Sequence, residues 1–138
     1  MIKTARNNEH IHACWEVLLA LRPHLKQETF IATVRRQMDE GYHLIYIEKE
    51  GKAVSAAGFR YLRMLYCGHI IYIDDLSTLP EARGEGHAGL LLDFIIDKAR
   101  AEGLDGVHLD SGHQRFDAHR LYLNKGFRIT SHHFSRMF

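Results

Sequence analysis

The sequence predicts a mixed α/β fold in which helices cover both faces of one sheet. Two amphipathic helical patterns come early in the chain, and three strand-like segments joined by short turns follow them. The next elements are typical of a strand–helix–strand unit, which pairs its two strands in parallel. An antiparallel meander that leads into such a crossover predicts a mixed sheet.

The N-terminal part of the chain is predicted to contain a short strand and two helices. Residues 2–5 form the candidate strand. Residues 8–21 carry apolar side chains at helical spacing, and Pro23 ends this helix. Gln27–Asp39 shows the same periodicity and is followed by Gly41, a typical stop signal.

From residue 42 onward the pattern changes to strands rich in aromatic and β-branched residues. Short turns join three such strands, at 42–48, 53–65 and 69–76. Helix and strand patterns then alternate. After a loop at 80–86, we predict a helix at His87–Ala101, a strand at 107–110, a helix at 115–124 and a last strand at 127–137.

Composition limits the function classes. The chain has 138 residues, 46% hydrophobic and 25% charged, which fits one globular domain spanning residues 1–138. With a net charge of +1, the chain has no excess of positive charge of the kind that binds nucleic acid or an anionic membrane. No apolar run could span a membrane, and the first ten residues lack the apolar core of a secretory leader. The two cysteines form no motif, so we expect reduced thiols in a cytoplasmic protein.

The first chemical signal is a glycine-rich loop before the helix at His87–Ala101. Glycines let an anionic group approach the backbone, and a helix N-terminus offers unpaired N–H groups and a positive dipole end. An arginine adds a fixed positive charge. The loop therefore predicts a phosphate or pyrophosphate site built from Arg83, Gly84, Glu85, Gly86, His87, Ala88 and Gly89.

One alternative is a dinucleotide-binding fold, because the same glycines satisfy the pattern G-x-G-x-x-G. Asp110, after the next predicted strand, stands where an acidic residue would hold a ribose. Three features oppose this alternative. Residues 80–83 separate the strand from the glycines, the loop follows a meander, and too few residues remain to complete such a sheet. A P-loop is excluded because no Gly-Lys-Ser/Thr follows.

The loop resembles the acetyl-CoA motif of the GNAT superfamily of N-acetyltransferases, whose common form reads Arg-Gly-x-Gly-x-Gly/Ala. Arg83, Gly84, Gly86 and Ala88 fall on its defined positions, and the predicted order of elements matches the family. The resemblance implies a central mixed, mostly antiparallel sheet of about six to seven strands flanked by about four helices. It also implies acetyl-CoA as acetyl donor.

A second segment, from Ala118 to Phe127, is similar to the family signature Ala-x-x-Phe/Leu-Tyr-x-x-x-Gly-Phe. The resemblance implies that Tyr122 lies near the CoA sulfur and acts as general acid. A thiolate, whose thiol has a pKa of about 8.5, needs a proton that a tyrosine of pKa about 10 still carries at neutral pH. Many members have Asn seven residues before the tyrosine. Here that residue is Arg115, which either faces the cofactor's phosphates or lies in solvent.

Two aspartates late in the third meander strand are candidate bases, because an amine acceptor must lose a proton. Side chains alternate along a strand, so Asp74 and Asp75 are expected to point to opposite faces. The sequence Tyr72-Ile73-Asp74-Asp75 resembles Tyr-x-Glu-Asp of diamine acetyltransferases, which favours Asp74 as base over Asp75. The resemblance also implies that backbone N–H groups around Leu76, Ser77 and Thr78 bind pantetheine and polarise the thioester carbonyl.

The acceptor is predicted to be a small primary amine, attacked directly in a ternary complex. Asp75, Asp110 and His113 are the expected acceptor-binding residues, and their carboxylates favour a cation. A protein lysine or an N-terminal amine is the alternative within this class. A non-catalytic acyl-CoA-binding module is the alternative from another class.

The histidines and the last strand lead to two further expectations. No pair among the eleven histidines has the i, i+4 spacing of a zinc-hydrolase helix, so we predict no metal. We expect instead that a single histidine, His113 or His133, contributes to acceptor binding or to proton relay. The edge of the predicted last strand would need a covering partner, which favours a homodimer.

Overall fold

The computed structural model describes residues 1–138. Its strands are β1 (Ile2–Thr4), β2 (His43–Lys49), β3 (Lys52–Met64), β4 (Gly68–Thr78) and β5 (Gly106–Leu109). Its helices are α1 (Asn8–Ala13), α2 (Trp15–Leu21), α3 (Gln27–Asp39), α4 (His87–Ala101) and α5 (Phe116–Asn124), with a 3₁₀ turn at Pro80–Ala82. The strands form one sheet in chain order. Neighbours pair antiparallel except β4 and β5, which are parallel, so the predicted mixed α/β class is confirmed.

Local signals in the sequence explain where several elements begin and end. The side chain of Asn7 accepts a hydrogen bond from the backbone N–H of His10 at 2.9 Å and caps α1. Glu50 and Gly51 have φ values of 52° and 77°, which a two-residue hairpin turn between β2 and β3 requires. None of the helices is both long enough and apolar enough to cross a membrane.

The hydrophobic core surrounds the central strands of the sheet. Seven consecutive residues of β3, Ala53 through Phe59, are buried, so both faces of the sheet are covered at this point. Helix α2 packs on β3 and β4, and α4 packs on β3, β4 and β5. The largest buried side chains of the core include Tyr46 and Phe59.

The predicted helix at 8–21 is wrong in one respect, because it consists of two helices that meet at Cys14. The backbone of Cys14 has φ −88° and ψ 1°, outside the helical range. Its N–H donates to the carbonyl of Ile11, three residues back, so the α-helical ladder is interrupted. The apolar stripe continues across the break, and Ile11, Cys14 and Val17 are all fully buried.

The predicted last strand at 127–137 is also wrong, and the sheet has five strands rather than six to seven. No residue after Phe127 makes a backbone–backbone hydrogen bond. An extended, alternating sequence becomes a strand only where its backbone pairs with a neighbour. Here this segment leaves the far edge of β5 unpaired.

Two irregularities in β4 shape the sheet where the candidate site lies. Gly58 of β3 pairs with Asp75 and Phe59 pairs with Ile73, so Asp74 is an extra residue and forms a β-bulge. The parallel pairing with β5 ends at Ile73 and Leu109. From Asp74 to Thr78, β4 therefore presents unpaired backbone groups on its β5 side.

Candidate active site

The predicted anion loop has the geometry of an anion cradle. Gly84 and Gly86 have φ values of 78° and 83°, a left-handed conformation that a residue with a Cβ adopts only with strain. Gly86 is the N-cap of α4, and the first turn of α4 contains no acidic residue. The first N–H groups of this helix are therefore available to an anion, and the helix dipole favours a negative charge there.

A cleft of about 450 Å³ opens in front of this loop. Seven predicted residues line it: Thr78, Arg83, Gly84, Gly86, His87, Ala88 and Gly89. The structure adds five lining residues: Ala82, Leu90, Asp93, Leu121 and Lys125. Four predicted cofactor-binding residues do not line this cleft: Leu76, Ser77, Glu85 and Arg115.

Glu85 would repel an anion, but Lys49 and His87 both contact its carboxylate. Lys49, the last residue of β2, forms an ion pair with Glu85, and this hydrogen bond lowers the pKa of Glu85 below its ordinary value. The ring Nε2 of His87 lies 3.2 Å from the same oxygen. The Lys49 ammonium therefore offsets the one negative charge inside the loop.

His87 carries a buried polar atom that no group of the protein satisfies. Its side chain is only 10% exposed, and Nδ1 is buried without a hydrogen-bond partner. A buried polar atom without a partner costs free energy, which a bound hydrogen-bonding group would recover. Together with the free N–H groups of α4, this atom makes the cleft a suitable site for the phosphates of CoA.

Lys125 is a cation of the cleft that sequence reasoning missed. It follows α5, and its Nζ lies 2.9 Å from Oδ2 of Asp93 on α4. The contact joins the two helices across the cleft. Its position three residues after Tyr122, inside the second motif, is a signal that could have identified it.

Leu76, Ser77 and Thr78 lie on the stretch of β4 that has no β5 neighbour. On the other side, Ser55 of β3 holds this stretch in place. Its hydroxyl donates to the carbonyl of Ser77 at 3.1 Å and lies 2.8 Å from Oγ1 of Thr78. One edge of β4 is thus fixed to β3, and the other can pair with an extended ligand chain.

Tyr122 lies on α5 and is not one of the residues that line the cleft. Its ring lies 6.0 Å from that of Phe127 and against the core. Burial raises the pKa of Tyr122 above its ordinary value, and the charge of Arg115 opposes this in part. The hydroxyl therefore stays protonated at neutral pH, as a general acid must be.

Asp74 forms an ion pair with Arg60 of β3. Nε of Arg60 lies 3.0 Å from both carboxylate oxygens, and Nη2 lies 2.6 Å from Oδ2. This bond raises the pKa of Arg60, which stays charged. Each carboxylate oxygen keeps further lone pairs, and the side chain of Asp74 is 21% exposed.

Asp75 belongs to the same cluster, which corrects the prediction that the two aspartates point to opposite faces. Its Oδ2 accepts from the hydroxyl of Tyr42 at 2.8 Å, and its Oδ1 accepts from Nε of Arg22 at 3.0 Å. The guanidinium of Arg60 lies over the Tyr42 ring, 5.6 Å from its centre. The bulge at Asp74 interrupts the alternation on which the prediction depended.

The other predicted acceptor residues lie apart from the loop. Asp110 accepts a hydrogen bond from the hydroxyl of Tyr72 and lies 3.5 Å from Nδ1 of His133. Burial, followed by this hydrogen bond, raises the pKa of Tyr72 above its ordinary value. The negative charge of Asp74 also raises the pKa of Tyr72. His113 is exposed in the segment between β5 and α5.

Arg22, Tyr42 and Arg60 were missed by sequence reasoning. Arg60 could have been found from the short turn at Cys67 and Gly68, because that turn sets Arg60 opposite Tyr72 and beside Asp74. Arg22 and Tyr42 come from distant segments and have no such local signal. Nowhere does the structure gather three or more His, Cys, Asp or Glu side chains that could hold a metal ion.

Comparisons with known proteins identify the family of the chain. The model of the acetyltransferase (GNAT) family matches residues 7–127. The uncharacterized N-acetyltransferase YhdJ of Bacillus subtilis (strain 168) is 31% identical over 137 residues, which cover 98% of this chain and 96% of that protein.

Two further likenesses are more limited. The aminoalkylphosphonate N-acetyltransferase of Salmonella typhimurium is 33% identical over 64 residues, or 46% of this chain and 42% of that protein. A solved aminoglycoside N-acetyltransferase in complex with CoA has a TM-score of 0.84 and 15% identity, and the match covers 100% of this chain and 93% of that one. The likeness to the aminoglycoside N-acetyltransferase concerns the fold alone.

Proposed function

The chain belongs to the acetyltransferase (GNAT) family, whose donor substrate is acetyl-CoA, and on that premise we propose that it acetylates the primary amine of a small molecule. The amine attacks the thioester directly in a ternary complex. The family assignment confirms the resemblance noted in the two motifs, and the reaction class follows from it. The acceptor and the roles of individual residues are our proposal.

The anion cradle at the start of α4 is the observation that carries the proposal. In it, the pyrophosphate of CoA takes the N–H groups from Gly84 to Gly89, with Arg83, Lys125 and Nδ1 of His87 around it. The pantetheine arm then extends along the free edge of β4. The unpaired backbone at Leu76, Ser77 and Thr78 supports this direction.

The proposed chemistry needs one base and one acid. Asp74 accepts a proton from the acceptor ammonium, directly or through water, at a lone pair that Arg60 leaves free. The neutral amine forms a C–N bond with the acetyl carbon, and the C–S bond breaks. Tyr122 donates its proton to the leaving thiolate, consistent with the raised pKa of its hydroxyl. The second proton, lost by the newly acetylated nitrogen, returns to the Tyr122 oxygen and restores its hydroxyl. Asp75 is held by Arg22 and Tyr42, which favours a positioning role.

A small cationic amine is the proposed acceptor. Asp110 is the least enclosed of the three predicted carboxylates, with 46% of its side chain exposed, and no arginine or lysine pairs with it. The partial relative from Salmonella typhimurium is named as an aminoalkylphosphonate N-acetyltransferase, which supports a small amine as acceptor. Both cysteines are free, which supports the cytoplasmic location that we propose.

Thermal-shift titration with acetyl-CoA, CoA and NAD tests the donor site. A ligand at about 100 times its Kd stabilises the folded state by roughly 2.7 kcal/mol, so both CoA species should raise the Tm and NAD should not. Arg83→Gln should reduce the CoA shift, whereas the exposed Arg36→Gln on α3 serves as the matched control. A shift with NAD alone would overturn the proposal.

An amine panel, followed through release of free CoA thiol, tests the acceptor. Turnover with small amines and none with peptides supports the proposal. Turnover with lysine peptides or peptide N-termini alone would assign a protein substrate instead. Binding of acetyl-CoA with no turnover of any amine would favour a non-catalytic module.

A further inference from the structure

The charged cluster around Asp74 exposes its positive side chain more than its negative ones. Two arginines and two aspartates form its ion pairs, so their formal charges balance. Arg22 has 42% of its side chain exposed. The other three are more enclosed, with 17% exposed for Asp75, 21% for Asp74 and 26% for Arg60. The charged group of this cluster that is most open to an incoming molecule is therefore a cation.

The guanidinium of Arg22 is held in place and still has hydrogen-bond donors to offer. Its Nε donates to Oδ1 of Asp75 at 3.0 Å, and its Nη2 donates to the backbone carbonyl of Asp74 at 2.9 Å. A guanidinium has five N–H groups, so the two on Nη1 and one on Nη2 stay free. These groups can bind two oxygens of one anion side by side, and a side chain already fixed by two bonds loses little freedom on binding.

Charges of both signs lie around the hydroxyl of Tyr72 on β4. Burial raises the pKa of Tyr72, and the hydrogen bond and charge of Asp110 and the charge of Asp74 raise it further. The positive charge of Arg22 opposes this rise in part, so Arg22 also lies near Tyr72. Asp110 is 46% exposed. An acceptor at this place therefore meets carboxylates and a guanidinium together.

We propose that the acceptor is a zwitterion, an amine that also carries a carboxylate or another oxyanion, and that Arg22 binds this oxyanion while Asp74 faces the ammonium group. The inference rests on the proposed acetylation and names the substrate class of the same site. An amine without an anion would leave the free N–H groups of Arg22 facing a like charge. The oxyanion takes no part in bond making, and its contact with Arg22 orients the amine toward the thioester.

Matched acceptors test the substrate class in the wild-type enzyme. A series of ω-amino acids of increasing chain length is compared with the amides of the same amino acids, and release of free CoA thiol is followed. The amide keeps the amine and the size of the acceptor and removes only the negative charge. For the chain length that fits, kcat/KM should be about 10-fold or more higher with the amino acid than with its amide.

Variants then assign the preference to Arg22. Arg22→Gln should reduce the ratio of kcat/KM between amino acid and amide by about 10-fold or more, and Arg22→Lys, which keeps the charge, should restore part of it. Because Arg22 also holds Asp75, its loss can slow both acceptors, and only the ratio reports on the anion. Tyr42→Phe is the matched control, since it removes the other partner of Asp75 and keeps the guanidinium. It should leave the ratio at the wild-type value.

Equal use of the amino acids and their amides by the wild type would overturn this inference and leave the proposed acetylation standing. An Arg22→Gln variant that keeps the wild-type ratio would overturn it as well, and so would a Tyr42→Phe variant that loses the ratio to the same extent. Failure of the wild type to acetylate any amine would instead overturn the proposed function, and this inference with it.

Discussion

Single residues around Asp74 show how arginines hold two neighbouring carboxylates in place beside the sheet. Arg60 binds Asp74 with both arms of its guanidinium, and Arg22 binds Asp75. A half-buried carboxylate without such a partner would be costly. The same arginines fix the two carboxylates in place. A catalytic carboxylate needs such a fixed position relative to the acceptor.

For Asp74→Asn we expect kcat to fall by about 10²–10⁴-fold, with the loss shrinking as pH rises. At high pH the acceptor amine deprotonates in solution and no longer needs a base. A pH profile of kcat with a small amine, run beside Asp75→Asn, measures this. A defect that does not change with pH, and that Arg60→Gln reproduces, would make Asp74 a positioning residue for Arg60.

Tyr122→Phe should lower kcat by about 10²–10⁴-fold and leave CoA affinity almost unchanged. The substitution removes the proton donor and keeps the ring that packs on Phe127. Steady-state kinetics and a CoA titration measure the two effects, with the exposed Tyr66→Phe as control. Unchanged kcat would remove Tyr122 from the reaction and leave it a core aromatic.

Among the elements, β3 and β4 pair at a point where the backbone of Gly58 lies close to the side chain of Tyr42. A Cβ on Gly58 would lie 1.7 Å from the hydroxyl oxygen of Tyr42, which is the atom that binds Asp75. Glycine is therefore required here for space, and its φ plays no part. Because Gly58 pairs with Asp75 next to the bulge, the same contact sets the position of both aspartates.

We expect Gly58→Ala to lower the free energy of unfolding by about 1–3 kcal/mol, since the added methyl group must displace Tyr42. Activity should fall as well, because Asp75 loses its partner. Gly106→Ala on β5 is the matched control, as its Cβ meets nothing closer than 3.7 Å. Urea unfolding of both variants gives the comparison, and equal stability of the two would contradict the tight contact.

Elements with a clear periodicity of apolar residues were predicted well. Elements that exist only when they pair with a neighbouring strand were not. α4 matches the predicted helix at His87–Ala101 because its apolar stripe is continuous over four turns. The predicted strand at 127–137 is wrong because a strand needs a neighbour, and pairing is not a local property. The break at Cys14 could not be predicted either, because the stripe continues across it.

For the molecule as a whole, a buried thiol links stability to pH. Cys14 is fully buried where α1 meets α2, and burial raises its pKa to about 12. The folded state therefore favours the neutral thiol, and this preference is complete below the ordinary thiol pKa of about 8.5. As pH rises from there toward 12, the unfolded chain releases the proton first and stability falls.

The stability advantage of the wild type over Cys14→Ala should shrink above about pH 8.5, by up to about 1.4 kcal/mol per pH unit. Tyr42, whose pKa burial also raises, contributes to the pH dependence of both chains, so only the difference between them reports on Cys14 and its neighbours. Urea unfolding at several pH values between about 8 and 10.5 measures the two curves. Parallel curves would mean that the Cys14 thiol has no linkage to folding.

The sequence by itself determined the mixed α/β class, the anion loop at 83–89 and the family. These follow from helical periodicity, from glycine spacing and from two short motifs, all of which act over a few residues. Only the tertiary structure decided the partners of Asp74 and Asp75, the cation Lys125 in the cleft and the unpaired edge of β5. Those depend on strand register and on contacts between segments far apart in the chain, because a single bulge changes which side chains meet.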